Sequence, residues 1–236
     1  MTQISNPFDR NIRSLFSDLA DTYEPANHIL TLGLDILWRK QLMRLVSIEK
    51  GAVLDLCTGT GETAANLRRK SGESVKIFAT DFSWPMLSQA VKNHQEKSVF
   101  FSCSDVKQLP FRDESFDAVT LSFATRNLNL SREILTRTFS EIRRVLKPGG
   151  KFVNLETSQP PLRLIRMLAH AFIALFVRRI GARISGSQEG YTYLSETIRL
   201  FYDAETLREI LLEAGFQTVK ITRLFFGIAA IHVCGK

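Results

Sequence analysis

Three aspartates stand at intervals that match the ends of successive strands. Asp55 lies in a short apolar run at 52–56, Asp81 follows a second run and Asp105 follows a third. In open α/β sheets, ligands bind beyond the carboxyl ends of the parallel strands. We therefore expect the three carboxylates to surround one site.

A glycine-containing turn follows the first of these runs. Gly59, Thr60 and Gly61 would allow a ligand to approach the backbone closely, beside the free N–H groups of a helix start. The spacing Gly59-x-Gly61-x-x-Ala64 also satisfies a dinucleotide fingerprint, so NAD or FAD has to be considered. The turn alone is therefore a weak signal.

The three aspartates make a dinucleotide ligand less favourable, because Asp55 would repel a pyrophosphate. The set suits a cationic, phosphate-free nucleoside such as S-adenosylmethionine. Asp55 would then meet the cationic amino acid moiety, Asp81 would accept the ribose hydroxyls, and Asp105 would lie near the adenine amino group. The alternative, that the acids merely cap helices, stays open and is strongest for Asp105.

Apolar runs and helical patterns alternate along most of the chain, which predicts a doubly wound parallel sheet of α/β class. The predicted strands are 52–56, 75–80, 99–103, 116–123 and 151–155, and the predicted helices between them are 62–69, 85–94 and 134–146. After a helix at 204–214, runs at 217–224 and 227–233 are too close for a crossover and predict an antiparallel hairpin. The outline is that of a Rossmann-like, seven-stranded methyltransferase sheet. Residues 8–48 read as helices, with breaks at 23–25 and at Gly33.

Composition excludes several other classes. The chain has 236 residues, a net charge of +7, 44% hydrophobic and 23% charged residues, which are ordinary globular values. Its three cysteines form no CxxC pair, so no metal is expected. Residues 1–10 lack a signal-peptide core, and the longest uncharged apolar run, 167–177, is too short to span a bilayer. These features predict one domain over 1–236 in a soluble, cytoplasmic protein.

Positive charge is concentrated in one apolar segment. No acidic residue occurs between Thr157 and Gln188, a stretch that contains Arg163, Arg166, Arg178, Arg179 and Arg183. The segment at 162–184 therefore reads as a basic amphipathic element that contacts a membrane surface transiently. A lid packed over the active site is an equally supported and compatible alternative.

Several motifs resemble those of one enzyme family. The stretches 53–61 (VLDLCTGTG) and 146–150 (LKPGG) resemble class I S-adenosylmethionine methyltransferases. The stretches 16–23 (FSDLADTY), 126–128 (RNL) and 191–199 (YTYLSETIR) are similar to the ubiquinone/menaquinone biosynthesis C-methyltransferase family. This resemblance runs from about Phe16 to His232.

The resemblance implies methylation of a ring carbon of a prenylated quinol, converting demethylmenaquinol to menaquinol or forming the ubiquinone-pathway benzoquinol. It implies cofactor contacts at Thr60, Asp81, Asp105, Val106 and Ser122. Thr58 replaces a glycine usual in the family and is expected to crowd the methionine end of the cofactor. Within the single domain, residues 1–48 would be N-terminal helices and 157–203 an insert that caps the acceptor and faces the membrane.

Carbon methylation needs a ring hydroxyl that is deprotonated or strongly hydrogen-bonded. A guanidinium is a poor proton acceptor, so Arg126 is expected to stabilise the developing phenolate or to orient a water. Asn127 would hold that water or the second quinol oxygen, and Tyr23 is a further catalytic candidate. For Arg126 the alternative is a structural salt bridge. Candidates for the substrate pocket are Tyr191, Tyr193 and Phe172, with packing an equal alternative for the two tyrosines.

Three other functions are alternatives to this one. A methyltransferase for another hydrophobic acceptor, such as a sterol or phospholipid, differs only in the acceptor. A nicotinamide oxidoreductase is disfavoured by Asp55 and by the terminal hairpin. A non-catalytic nucleic-acid module fits the charge, but the basic excess lies among aliphatic residues rather than exposed aromatic ones. We expect no nucleic-acid partner, and a homodimer through the hairpin edge stays open.

Overall fold

The computed structural model describes residues 23–46, 48–93, 98–177 and 188–236. The predicted helical run before residue 23, the end of the 85–94 helix at His94, and the arginines at 178, 179 and 183 lie outside the described residues.

The described part of the chain begins with two helices, and helices connect most of the successive strands after them. The helices are α1 (Tyr23–Leu30), α2 (Leu34–Val46), α3 (Glu62–Lys70), α4 (Trp84–Asn93), α5 (Thr125–Leu128), α6 (Arg132–Val145), α7 (Arg163–Phe172, continued by a π-helical turn at Ile173–Val177), α8 (Gln188–Leu200) and α9 (Ala204–Glu213). The strands are β1 (Gly51–Leu56), β2 (Val75–Asp81), β3 (Val99–Cys103), β4 (Phe116–Ser122), β5 (Leu146–Thr157), β6 (Thr218–Leu224) and β7 (Ala229–Gly235).

The strands form one seven-stranded sheet in the order β3-β2-β1-β4-β5-β7-β6. The first five strands pair in parallel, whereas β7 is antiparallel to both β5 and β6. The predicted α/β class, the parallel sheet and the closing hairpin are confirmed. The order reverses at β1, with β2 on one side and β4 on the other, so the carboxyl ends of these strands meet at the switch point.

Helices cover both faces of the sheet. On one face Phe139 of α6 and Leu207 of α9 pack with Phe152 and Phe216, whose rings are stacked 5.7 Å apart. On the other face Trp38 and further residues of α2 and α3 cover β1, β2 and β5. Apolar residues dominate the inward positions of every central strand, as expected for a sheet buried on both sides.

Several predictions of local structure were wrong. Residues 23–25 begin α1 instead of breaking a helix, because Pro25 lies in the first turn, where no intrahelical N–H bond is lost. Helices α5 and α8 were not predicted, and β5 begins at Leu146, five residues earlier than expected. The predicted break at Gly33 is present, with φ of +75° between α1 and α2.

In the part of the chain that the structure describes, no helix combines the length and the apolar character needed to cross a membrane.

Candidate active site

A polar cavity of about 120 Å³ lies at the carboxyl ends of β1, β2 and β4. All three predicted aspartates line it. Its remaining predicted members are Gly59, Thr60, Val106, Ser122 and Asn127. The sequence therefore identified residues from four separate loops that the fold brings together.

Asp55 is a fully buried carboxylate at the floor of this cavity. Thr58 Oγ1 and Thr120 Oγ1 each donate a hydrogen bond to it at 2.6 Å, one to each carboxylate oxygen. Burial raises the pKa of Asp55 to about 6, although the two hydroxyls act in the opposite direction. The side chain of Thr58 lines the cavity, but its hydroxyl is engaged with Asp55.

The glycine turn is held by the second aspartate. Gly59 N–H donates to Asp81 Oδ2 at 2.9 Å, and Ser83 N–H donates to Oδ1 at 2.8 Å. The left-handed backbone of Gly59, with φ of +58°, makes the turn sharp enough to leave its backbone at the cavity wall. Gly61 is absent from the described residues that line the cavity, and it serves as the N-cap of α3.

Asp105 combines the two roles that the sequence left open. Its Oδ1 accepts a hydrogen bond from the N–H of Lys107 at 2.9 Å, which is a local turn contact. The same side chain lines the cavity next to Val106 and Ser104. A local structural role and a ligand contact are therefore compatible at this position.

A second, apolar cavity of about 440 Å³ adjoins the first. It lies among α1, α2, α7, α8 and the turn between β6 and β7. Its apolar walls include Leu30, Leu34, Trp38, Ile165, Leu168, Phe172, Leu194 and Ile198. Asn27, Arg39 and Phe123 line both cavities, so the two spaces meet at these three residues.

Arg126 lines the apolar cavity but is also held in an ion pair. Its Nη1 donates to Glu156 Oε1 at 2.7 Å and to the Phe123 carbonyl at 2.9 Å. Its backbone N–H donates to Glu156 Oε2 at 3.2 Å. Both side chains are almost entirely buried. The salt bridge expected under the structural alternative is thus present, and the catalytic role stays a prediction.

The other predicted acceptor residues fall in different places. Tyr193 donates its hydroxyl to Asn127 Oδ1 at 3.4 Å, and burial raises the pKa of Tyr193 while Arg126 opposes that shift. Phe172 lines the apolar cavity. Tyr191 is buried and, among the described residues, is not part of either cavity wall. Only the backbone of Tyr23 is described, at the start of α1.

Sequence reasoning missed a polar cluster that connects α2 to α3. Arg39 Nε pairs with Glu62 at 3.0 Å, and its Nη1 donates to Thr63 Oγ1 at 2.9 Å. Its guanidinium lies 5.1 Å from the ring centroid of Phe123. Glu24 of α1 accepts from Thr60 Oγ1 at 3.3 Å. Nothing in the local sequence around Arg39 indicated that α2 would pack beside the glycine turn.

Comparison with solved structures identifies the class of fold. An S-adenosylmethionine-dependent methyltransferase from Thermotoga maritima superposes with a TM-score of 0.67 at 18% identity, covering 94% of this chain and 98% of the other. Phosphoethanolamine N-methyltransferase 2 of Haemonchus contortus, solved with S-adenosylhomocysteine, gives 0.59 at 18% identity over 83% of this chain and 51% of its own. The fold is that of the Rossmann-like methyltransferases.

Sequence comparison gives the family. The profile of the ubiE/COQ5 methyltransferase family matches residues 4–236, and the chain belongs to this family. Demethylmenaquinone methyltransferase of Lactiplantibacillus plantarum is 36% identical, with 97% of each chain covered. Ubiquinone/menaquinone biosynthesis C-methyltransferase UbiE of Rickettsia bellii is 32% identical, over 95% of this chain and 92% of the other. The resemblance found in the motifs is confirmed, and the nicotinamide alternative is set aside.

Proposed function

We propose that the protein transfers a methyl group from S-adenosylmethionine to a ring carbon of a prenylated quinol, either demethylmenaquinol or the benzoquinol of the ubiquinone pathway. The observation that carries this proposal is that an acid-lined cavity lies beside a larger apolar one, with three lining residues in common. A polar cofactor and an apolar acceptor that react with each other need one cavity of each kind, side by side. The relatives named above support the quinol as acceptor.

The residues of the polar cavity fit S-adenosylmethionine, which when bound supplies a methyl group on a positively charged sulfur. Asp55, Asp81 and Asp105 line the same cavity, and a cationic ligand suits this set of carboxylates. Asp81, fixed by two backbone N–H groups, is positioned to accept the ribose hydroxyls. Gly59 and Thr60 would bind the amino acid end, and Val106 and Ser122 would contact the remaining cofactor surface.

On the acceptor side, Arg126 stabilises the phenolate that develops on the quinol, or orients a water that takes the proton. Its ion pair with Glu156 fixes the direction of the guanidinium. Asn127 holds that water or the second quinol oxygen and is itself positioned by Tyr193. Tyr23 is the third catalytic candidate. Binding both reactants in adjoining cavities supplies proximity and excludes water.

We also propose that residues 157–203 cap the acceptor within a single domain, and that the segment 162–184 contacts the cytoplasmic face of the membrane. Helices α7 and α8 support the first part, because both contribute to the wall of the apolar cavity. A homodimer through β6 stays a prediction that rests on its position as an edge strand.

Binding and acceptor profiling test the proposal. We expect S-adenosylhomocysteine to bind far more tightly than NADH in calorimetric titration. With labelled S-adenosylmethionine, we expect label to enter prenylated quinols and not a sterol or phosphatidylethanolamine. Label in either of the last two, with none in a quinol, would favour the alternative hydrophobic acceptor and overturn the quinol assignment.

A further inference from the structure

We propose that the rim of the apolar cavity is a docking face for an anionic lipid bilayer, built from three elements that are separate in sequence. They are the α1–α2 turn with Leu32, helix α7, and the β6–β7 turn with Phe225 and Phe226. The acceptor would pass from the lipid into the cavity through this rim. The lipid-entry part rests on the proposed quinol acceptor, whereas the docking part extends the membrane contact proposed for 162–184 to two further elements and does not depend on the acceptor.

The rim is apolar and exposed, and it is continuous with the cavity. Leu32 is 79% exposed and Phe226 is 67% exposed, yet both also line the cavity. Leu164 and Met167, on the outer side of α7, are 66% and 59% exposed without lining it. A contiguous apolar surface around an apolar opening is unusual on a protein that contacts only water.

The two turns hold their apolar side chains outward on strained backbone. Leu32, Phe225 and Phe226 have φ values of 54°, 42° and 58°, in the left-handed region that favours glycine. Such a conformation is unfavourable for a residue with a side chain. The exposed part of a large apolar side chain gains little in water from this arrangement, but it would gain by inserting into the boundary between lipid headgroups and acyl chains.

The positive charge of the rim indicates which partner binds there. Arg163 and Arg166 of α7 are exposed, and the described residues provide no salt bridge to either. With no acidic residue from Thr157 to Gln188, the face is positive and complementary to anionic headgroups. A second copy paired on the same face about a two-fold axis would bring these arginines against their own equivalents. The bilayer is therefore the favoured occupant.

Vesicle flotation of the full chain tests this proposal. We expect binding to vesicles of phosphatidylglycerol and phosphatidylcholine, and little binding to phosphatidylcholine alone. Arg163→Glu with Arg166→Glu should weaken binding to the anionic vesicles at least tenfold, at about 1 kcal/mol for each basic residue lost. Leu164→Ser with Met167→Ser should weaken it as well. The controls, Arg137→Glu and Val91→Ser, change exposed residues on α6 and α4, outside the rim, and should bind like the wild type.

Measurements of turnover distinguish a failure of the docking proposal from a failure of the proposed function. The Arg163→Glu, Arg166→Glu variant should methylate a short-prenyl acceptor in solution at the wild-type rate and lose activity on a long-prenyl acceptor embedded in vesicles. A wild type that methylates the soluble acceptor but does not float with anionic vesicles would overturn the docking face alone. Flotation without methylation of any quinol would overturn the proposed function alone. A dimer that Phe226→Ser dissociates, with no vesicle binding, would assign the face to a second copy.

Discussion

At the scale of single residues, the most unusual group in the polar cavity is Asp55. A carboxylate removed from water is costly unless its lone pairs are satisfied, and here two threonine hydroxyls do so. The charge is retained at neutral pH, since the pKa is raised only to about 6. A buried carboxylate that is ionised at neutral pH is suited to a site that binds a cation.

Replacing this acid should make folding stability less dependent on pH. Asp55 has a pKa of about 6 in the folded protein against an ordinary 3.8, so the folded state binds more protons between these values. Wild-type stability should therefore fall by about 3 kcal/mol as the pH rises through that window, and stay level with respect to this group above it. The free energy of unfolding of Asp55→Asn, measured in urea from pH 4 to 7.5, should lack this loss. Parallel curves for variant and wild type would show that burial does not perturb Asp55.

We expect Arg126 to contribute both to folding stability and to turnover, by two different mechanisms. Arg126→Ala leaves Glu156 buried without its counter-ion, which should cost several kcal/mol of unfolding free energy. Turnover should fall about a hundredfold, while affinity for S-adenosylhomocysteine stays nearly intact.

The double variant Arg126→Met, Glu156→Gln separates these effects, because it removes both charges. It should regain most of the stability, measured in urea, without regaining turnover. Recovery of turnover in this variant would assign Arg126 a structural role only, and an equal loss of cofactor affinity would place it on the cofactor side.

The sequence predicted the three aspartates and the glycine turn of the polar cavity, because the motifs around Asp55, Asp81 and Asp105 are local and the strand order is set by a common rule. It did not predict Arg39, Glu62 or Glu24. Their contacts form only when α1 and α2 pack over the glycine turn, and no spacing along the chain encodes that crossing.

At the scale of elements, strands and capped helices were predictable, whereas helices with mixed signals were not. Helix α8 contains Gly190 and β-type residues such as Thr192 and Thr197, which weaken a helical pattern. Its formation reflects packing of buried Tyr191 and Ser195 instead. Helix α5 has only four residues, too few for any periodicity. Both missed helices border the acceptor side of the site.

Helix α9 offers a test of capping at this scale. Asp203 accepts a hydrogen bond from the N–H of Thr206 at 2.9 Å, and the helix contributes Leu207, Ile210 and Leu211 to the core. Asp203→Ala should lower the unfolding free energy by about 1 kcal/mol, because an N–H at the helix start loses its acceptor. The measurement is the urea midpoint, with Asp203→Asn as the control that retains the cap. Equal urea midpoints for Asp203→Ala and Asp203→Asn would show that the cap does not stabilise the protein.

At the scale of the whole molecule, the switch point of the sheet shapes the cavity that we propose for the cofactor, and a set of helices shapes the cavity that we propose for the acceptor. The strand ends and the turns after them form much of the polar cavity, and Glu24, Asn27 and Arg39 of α1 and α2 complete its wall. The apolar cavity depends on α1, α2, α7 and α8, together with the turn that closes the β6–β7 hairpin. Phe123, at the end of β4 with φ of +56°, stands where the two spaces meet. The proposed methyl transfer requires both reactants beside Phe123.

Methyl transfer from labelled S-adenosylmethionine is the most direct test of this account. The acceptors are short-prenyl demethylmenaquinol and the corresponding demethylated benzoquinol, both kept reduced with dithionite. We predict ring-methylated product from at least one quinol, with the ratio of the two rates identifying the pathway. Tight binding of S-adenosylhomocysteine with no product from either ring would leave the fold and the cofactor site in place and contradict the assignment of the apolar cavity to a quinol.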